Sequence, residues 1–281
     1  MTGHLGVGDW TLEPTVTFGL LGLVVVYAVL MRRGQLSSSD DVSPWFASVR
    51  LRPVFFAMGI ISGFVALASP IDTGGDTYLL SLHMVQHLVL MMVAPPLVLL
   101  GICGAAPVAD DVARAWRGLW TWLTRPWPAT LLFNAVLLVW HIPALYDATL
   151  TTEPIHVFEH LTFIAVGVIF WWPIVDPLRR RQTRPVSPFQ KIAMLVLAGI
   201  PPTVLGFVLA LGQSPYYDFY ARAPRLWGIS AVSDQQLAGV IMLGVGNLIY
   251  FAAISVIFLR LFADPAADER EAARAPRHAA G

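Results

Sequence analysis

Long apolar runs, separated by short polar or charged stretches, dominate the chain. Runs of about 18 or more apolar residues are typical of membrane-spanning helices. The sequence predicts seven spans, at 15–31, 53–69, 78–101, 129–146, 155–173, 191–212 and 237–262. The predicted fold class is therefore all-α, a polytopic membrane protein built as a seven-transmembrane helix bundle.

The connections between these spans leave no room for a soluble domain, since the longest cover 32–52, 102–128 and 213–236. We expect one transmembrane domain over residues 1–262. A polar tail over 263–281 follows it, with a composition typical of disordered or loosely helical segments. The N-terminus lacks the basic region of a cleaved signal peptide, so we expect the first apolar run to remain as a membrane helix.

Basic residues are distributed unevenly between the two sides of the predicted bundle. Of the 18 Lys and Arg residues, all but Arg222 and Arg225 fall in one alternating set of loops and in the tail. Positive residues accumulate on the cytoplasmic side of membrane proteins. The sequence therefore predicts an N-terminus on the outer side of the membrane and a cytoplasmic C-terminus.

Composition agrees with this picture and narrows the functional classes. The chain of 281 residues is 56% hydrophobic and 13% charged, with a net charge of zero, whereas a soluble domain has about 25% charged residues. The single cysteine, Cys103, excludes an intrachain disulfide and a CxxC site. We find no nucleotide-binding motif, no catalytic Ser or Cys arrangement and no nucleic-acid signature.

Five of the seven histidines are predicted at helix ends on the outer side; the other two, His4 and His278, lie in the termini. These five are His83, His87, His141, His156 and His160. Ionisable groups near the membrane are costly and are functional candidates for that reason. The alternative for each is a histidine that only presents its polar tip to water and headgroups.

Four of these histidines form two pairs with helical spacing. His83 and His87, like His156 and His160, are four residues apart and so project from one helix face. Such pairs can direct two imidazoles at one ion. Glu159 could orient a neighbouring imidazole through its free N–H group. We predict that the four histidines of the pairs bind a metal ion directly, with His141 as a fifth ligand or exchange position.

Auxiliary candidates surround the histidines along the sequence. Carboxylates and thioethers near the outer helix ends could tune or complete a site; these are Asp72, Met84, Met91, Asp147, Glu159, Asp234 and Met242. The ordinary alternatives are core packing for the methionines and turn formation for Asp72 and Asp147. Imidazole with thioether and no thiolate favours Cu(I). Zinc bound by His and carboxylate and haem with axial His are the alternatives.

Several motifs resemble the CtaG family of bacterial cytochrome c oxidase assembly proteins. They include Ile-Asp-Thr-Gly-Gly-Asp-Thr-Tyr (71–78), Ser-Leu-His-Met-Val-Gln-His (81–87), Ala-Pro-Pro-Leu-Val-Leu-Leu-Gly (94–101), Trp-His-Ile-Pro-Ala-Leu-Tyr-Asp-Ala-Thr-Leu (140–150), Ile-His-Val-Phe-Glu-His (155–160) and Asp-Gln-Gln-Leu-Ala-Gly-Val-Ile-Met (234–242). The likeness runs from about residue 50 to 260. One departure follows Met242, where the family often continues with Trp and a Pro-Gly-Gly turn and this chain has Leu-Gly-Val-Gly (243–246).

The resemblance implies a seven-span protein of the bacterial cytoplasmic (inner) membrane that is needed to build haem–copper oxidase. Carried onto this sequence, the histidine motifs of the family fall on the five outer histidines, and its acidic positions on Asp72, Glu159 and Asp234. The implied role is non-enzymatic copper delivery. The implied partners are cytochrome c oxidase subunits, the lipid bilayer and an extracytoplasmic copper donor, with no nucleic acid. The resemblance leaves open whether the protein forms a homo-oligomer.

Two rival hypotheses remain. One is a membrane cytochrome whose histidines ligate haem for electron transfer. The other is a scaffold that holds oxidase subunits without a metal of its own. The sequence does not decide whether the two histidine pairs share one ion or hold separate ions.

Overall fold

The computed structural model describes residues 4–33, 51–103, 110–177 and 186–263, with side chains omitted for 110–116 and 262–263. The helices in these ranges are α1 Pro14–Arg32, α2 Arg52–Ala68, α3 Pro70–Thr77, α4 Leu80–Leu88, α5 Ala94–Gly101, α6 Asp110–Leu123, α7 Pro126–Trp140, α8 Pro143–Thr151, α9 Glu153–Val175, α10 Pro188–Leu211, α11 Asp218–Arg222, α12 Ala231–Ile241 and α13 Asn247–Ala263. The predicted tail lies outside the described residues from position 264 onward.

The architecture confirms a polytopic helical membrane protein. Five helices are long and apolar enough to cross a membrane: Pro14–Arg32, Leu80–Gly101, Glu153–Val175, Pro188–Leu211 and Ala231–Leu261. Two helix pairs, α2 with α3 and α7 with α8, bend by 40° and 73° at their junctions and raise the number to seven if each pair is one span. The described residues thus contain five to seven candidate spans.

Several predicted limits are wrong in their detail. The span predicted at 129–146 ends as a helix at Trp140, because Pro143 begins a new helix in a different direction. The connection predicted at 102–128 contains α6, and the last span begins at Ala231 instead of 237. Many of these helices begin at or next to a proline. The N–H groups of the first helical turn have no partner within the helix, so a proline there loses no hydrogen bond.

Two spans contain a π-helical turn. Val89–Val93 connects α4 to α5, and Met242–Gly246 connects α12 to α13. Single π turns inside longer helices occur frequently at functional sites. Each turn directs side chains into the interior of the bundle: Leu90 and Met91 are buried in the first turn, and Met242 is buried in the second.

The helices close into a ring around the main core. α9 packs between α5 and α7, α10 packs against α7, α12 and α13, and α12 returns to α4. Aromatic and aliphatic side chains fill the interior, among them Phe133, Phe163 and Phe170. Large apolar side chains also face outward, as Phe207 and Leu211 do on α10. An apolar exterior over apolar helices is what a lipid environment requires.

Short helices cap one end of this ring, which we call the histidine end; it consists of α3, α8 and residues 213–230. Asp147 of α8 accepts hydrogen bonds from the backbone N–H groups of Asp218 and Phe219, and so fixes the start of α11. Gly75 of α3 lies against α4 so closely that a Cβ atom would be 3.0 Å from the backbone of His83. This close contact holds α3 against the first turns of α4.

Candidate metal centre

Two helices supply most of the site at the histidine end. α4 carries His83 and His87, and α9 carries His156, Glu159 and His160. The possible ligand atoms of His83, His156, Glu159 and His160 all lie within 4.8 Å of one another. We call these four residues the His–Glu cluster. Among the described residues it is the one group of three or more His, Cys, Asp or Glu side chains that meets this distance.

The cluster is buried, and most of its polar side-chain atoms lack hydrogen bonds. His83 and Glu159 are fully buried, and His160 is 8% exposed. Eight buried nitrogen and oxygen atoms at this place have no hydrogen-bond partner: Asp76 Oδ1, His83 Nε2, His87 Nδ1, His87 Nε2, His156 Nε2, Glu159 Oε1, Glu159 Oε2 and His160 Nε2. A buried polar atom without a partner costs about 1–3 kcal/mol. So many in one place indicate a ligand that satisfies them together.

Glu159 lies between the two imidazoles of α4. Its Oε2 atom is 3.9 Å from His83 Nε2, and its Oε1 atom is 3.8 Å from His87 Nε2. Both distances exceed hydrogen-bonding range and leave space for an ion between the groups. His87 therefore adjoins the cluster although it is not among its four members.

The structure also explains how His83 is oriented. Tyr220 donates its hydroxyl hydrogen to the carbonyl of Gly75 at 2.6 Å, and its oxygen lies 3.0 Å from His83 Nδ1. Burial, and to a smaller extent the carboxylates of Asp76 and Asp234, raise the pKa of the Tyr220 phenol, which therefore keeps its proton. Its oxygen can then only accept from His83 Nδ1, so the lone pair of neutral His83 is on Nε2 and faces Glu159.

His141 occupies a different position from the other four histidines. Its Nδ1 donates to the carbonyl of Leu137 at 2.7 Å, and its Nε2 lies 3.5 Å from the sulfur of Met84. Its ring centroid is 6.3 Å from that of His87. His141, which was predicted as a fifth ligand or exchange position, therefore lies beside the His–Glu cluster, on the side of Met84.

The predicted acidic residues have other contacts. Asp72 accepts hydrogen bonds from Thr11 and Gln86, and Asp234 accepts from the backbone N–H groups of Leu80 and Ser81 at the start of α4. With Asp147 they hold the helix ends in place, which is the ordinary role. Glu159, predicted as auxiliary, is instead one of the four members of the His–Glu cluster.

The carboxylate that does approach the histidines is Asp76, whose Oδ1 lies 3.4 Å from His156 Nε2. Asp76 is not among the candidate residues predicted from the sequence. Asp76 follows Asp72 by one helical turn of α3, so the sequence alone could not distinguish which of the two reaches the imidazoles.

Three tyrosines over the site were also missed as individual residues. Tyr146, Tyr217 and Tyr220 are all buried, and their rings pack on one another beside His83. The signal available was the Tyr-rich character of residues 216–220, which gave no indication of the histidine that they contact.

The geometry of the cluster can be tested against a metal ion. Four ligand atoms bound at about 2.1 Å around a tetrahedral ion are about 3.4 Å apart. The cluster, with separations up to 4.8 Å, needs its side chains to draw inward by about 1 Å or less at its widest. Imidazole nitrogen and carboxylate oxygen suit zinc and copper. The residues present therefore fit an ion of this kind.

Imidazoles and a carboxylate buried among membrane helices define an integral membrane protein with a candidate metal site in its interior. The profile of the family described as cytochrome c oxidase caa3 assembly factor (Caa3_CtaG) matches residues 25–264. The chain belongs to this family, as its motifs predicted.

Individual relatives add little to this assignment. Uncharacterised proteins of Mycobacterium bovis and Mycobacterium tuberculosis are each 29% identical over 266 residues, covering 83% of this chain and 38% of their own length. A protein of Mycobacterium leprae is 28% identical over 250 residues, with 81% and 37% covered. The chain thus spans less than two-fifths of these relatives. No solved structure matches it.

Proposed function

We propose that this protein is a non-enzymatic assembly factor that binds copper in the His–Glu cluster and delivers it to a haem–copper cytochrome c oxidase. The observation that supports this most is the convergence of three imidazoles and one carboxylate within 4.8 Å. The family membership supplies the oxidase. Copper is the cargo in this account, so the protein needs a site that releases it as well as one that binds it.

A cation would resolve the arrangement of polar atoms in the cluster. Neutral imidazoles offer lone pairs, and Glu159 offers negative charge, but neither finds a donor nearby. A positive ion at the centre would accept all of these lone pairs and neutralise the carboxylate in a low-dielectric interior, where such an interaction is strong. Binding an ion would therefore stabilise the protein more at this buried site than at histidines exposed to water.

Access to the cluster lies at its least buried members. The side chain of His156 is 14% exposed and that of Asp76 is 31% exposed, while His83 and Glu159 are fully buried. An ion would enter past Asp76 and His156 and leave by the same way. The histidine end would face the extracytoplasmic side of the bacterial inner membrane, because the basic loops lie at the other helix ends.

A small ion fits this site better than haem does. Ring centroids of neighbouring imidazoles lie 4.1–6.3 Å apart, with Glu159 between two of them. A macrocycle needs a planar slot between its axial ligands, and here that space is filled by other ligand side chains. Zinc would bind to the same donor atoms, and elemental analysis of the purified protein distinguishes copper from zinc.

Oxidase maturation in cells tests delivery. Cells that lack this protein would receive the wild type, a His83→Ala/His87→Ala variant or a His4→Ala control, whose histidine is exposed and far from the cluster along the chain. At limiting copper we expect the double variant to lose most oxidase activity and to recover with added copper. Full activity of the double variant at limiting copper would instead indicate a scaffold without a metal role.

A further inference from the structure

His141 and Met84 are in contact through two atoms that can each only accept a hydrogen bond. The carbonyl of Leu137 can only accept, so His141 Nδ1 carries the hydrogen and the neutral ring has its lone pair on Nε2. That nitrogen lies 3.5 Å from the Met84 sulfur, which is also an acceptor. Two lone pairs therefore face each other among buried residues, since His141 is 6% and Met84 is 2% exposed.

A cavity adjoins this pair. Four methionines line it, Met84, Met91, Met92 and Met242, together with His87 and His141. Its volume open to the centre of a water molecule is about 30 Å³. About 10–15 Å³ is enough for one water, so the cavity has room for a small ion.

Other polar groups in the cavity wall are already occupied. Asn247 donates to the hydroxyl of Thr203 and to the carbonyl of Leu243, and Thr203 donates back to the Asn247 carbonyl oxygen. The atoms that remain for a ligand are thioether sulfurs and imidazole nitrogens. Such a set is soft and uncharged, and it favours Cu(I) over zinc, which prefers thiolate, imidazole and carboxylate.

Both π-helical turns of the bundle border this cavity. The turn Val89–Val93 contributes Met91 and Met92, and the turn Met242–Gly246 contributes Met242. A π turn rotates the residues that follow it relative to an α-helix. The two turns thus direct methionines from different spans to one place, which a packing role for the methionines does not require.

We propose that His141 and Met84, with the thioethers of Met91 and Met242, form a second Cu(I) site deeper in the bundle than the His–Glu cluster. We call it the Met–His site. The inference rests on the proposed function in that the His–Glu cluster supplies the ion. With metal–nitrogen and metal–sulfur bonds of about 2.0 and 2.3 Å, the 3.5 Å separation corresponds to an angle of about 110° at the ion, close to tetrahedral.

His87 connects the two sites. Its Nε2 lies 3.8 Å from Glu159, both of its ring nitrogens lack hydrogen bonds, and it lines the cavity of the Met–His site. Transfer is then a ligand exchange: a bond from copper to Glu159 or an imidazole breaks as a bond to the Met84 sulfur forms. The ion stays Cu(I), no electron is exchanged and no proton is required.

Copper X-ray absorption and stoichiometry on the detergent-purified full chain test this inference. The protein would be loaded with Cu(I) under anaerobic, reducing conditions. Variants would be Met84→Leu and Met242→Leu, which conserve volume, with Met194→Leu as the matched control because Met194 is also buried but does not line the cavity. His156→Ala/His160→Ala isolates the second site.

The expected result is two equivalents of copper in the wild type, with sulfur neighbours for one of them. Met84→Leu and Met242→Leu should lower binding toward one equivalent and remove the sulfur signal, while Met194→Leu changes neither. One equivalent without sulfur overturns the Met–His site and leaves the proposed function standing. Sulfur-bound copper that is unaffected by His156→Ala/His160→Ala, with no second equivalent, supports the Met–His site and contradicts the His–Glu cluster. No bound copper overturns both.

Discussion

His83 and Tyr220 are joined by a contact of 3.0 Å between an imidazole nitrogen and a phenol oxygen that are 137 residues apart in sequence. Through this contact the segment over the bundle determines which nitrogen of His83 faces Glu159. The histidine end therefore contributes to the candidate metal site and does not only cover it.

Removing the Tyr220 hydroxyl should weaken metal binding while leaving all ligands in place. Loss of a group that orients a ligating histidine typically costs about 10–100-fold in affinity. We expect Tyr220→Phe to weaken Cu(I) binding by about 10-fold in a competition titration with a chelator. Tyr216→Phe is the control, since Tyr216 is 40% exposed in the same segment. Equal affinities for the two variants would contradict the orienting role.

Replacing Glu159 should lower the stability of the copper-loaded protein more than that of the copper-free protein. Glu159→Gln keeps the shape of the side chain but removes the charge, so an ion loses its compensating carboxylate. We expect Cu(I) to raise the Tm of the wild type, because a ligand at about 100 times its Kd stabilises by about 2.7 kcal/mol. The variant should show a smaller increase, since only the site that does not include Glu159 would still bind the ion.

Thermal unfolding in detergent, followed by intrinsic fluorescence with and without Cu(I), measures this difference. Glu153→Gln is the control, because Glu153 is exposed at the start of the same helix. A copper-induced Tm increase of the same size in Glu159→Gln would show that the carboxylate does not contribute to binding.

Gly75 should tolerate no side chain. A Cβ atom there would be 3.0 Å from the backbone of His83, so α3 would have to move away from α4. Overpacking of this kind costs about 1–3 kcal/mol, and it would also displace the Gly75 carbonyl from Tyr220. We expect Gly75→Ala to lower both the Tm and copper affinity. Gly22→Ala, with open space around it in α1, should lower neither.

Asp234 should affect stability without being a ligand. Its carboxylate accepts from the N–H groups of Leu80 and Ser81 at 2.6 and 3.1 Å. Loss of such a helix cap costs about 0.5–2 kcal/mol. Asp234→Ala should therefore unfold at lower temperature yet bind the same number of copper ions. Asp218→Ala, at an exposed ion pair with Arg222, should change stability little, and a lost copper equivalent in Asp234→Ala would restore Asp234 as a candidate ligand.

Helical spacing predicted much of this site and failed where long-range packing decides. It placed His83 with His87 and His156 with His160, because residues four apart share a helix face. It could not show that Glu159, on the intervening turn, would point at the imidazoles of α4. Nor could it connect Tyr220 to His83, since that contact depends on how residues 213–230 fold over α3.

The bends in the bundle were equally hard to predict. Hydropathy gave one span over 129–146, but α7 and α8 meet at 73° beside His141. The run is apolar on both sides of the bend, so hydrophobicity carries no sign of it. Pro143 was the available signal, and a proline marks a helix start without giving the angle.

Metal content of the purified protein tests the central claim most directly. Detergent-purified wild type, His156→Ala/His160→Ala and His4→Ala would be compared by elemental analysis and by their visible spectra. We expect stoichiometric copper in the wild type and in His4→Ala, and loss of the equivalent held by the His–Glu cluster in the double variant. A Soret band with stoichiometric haem, or equal copper in all three proteins, would contradict the account.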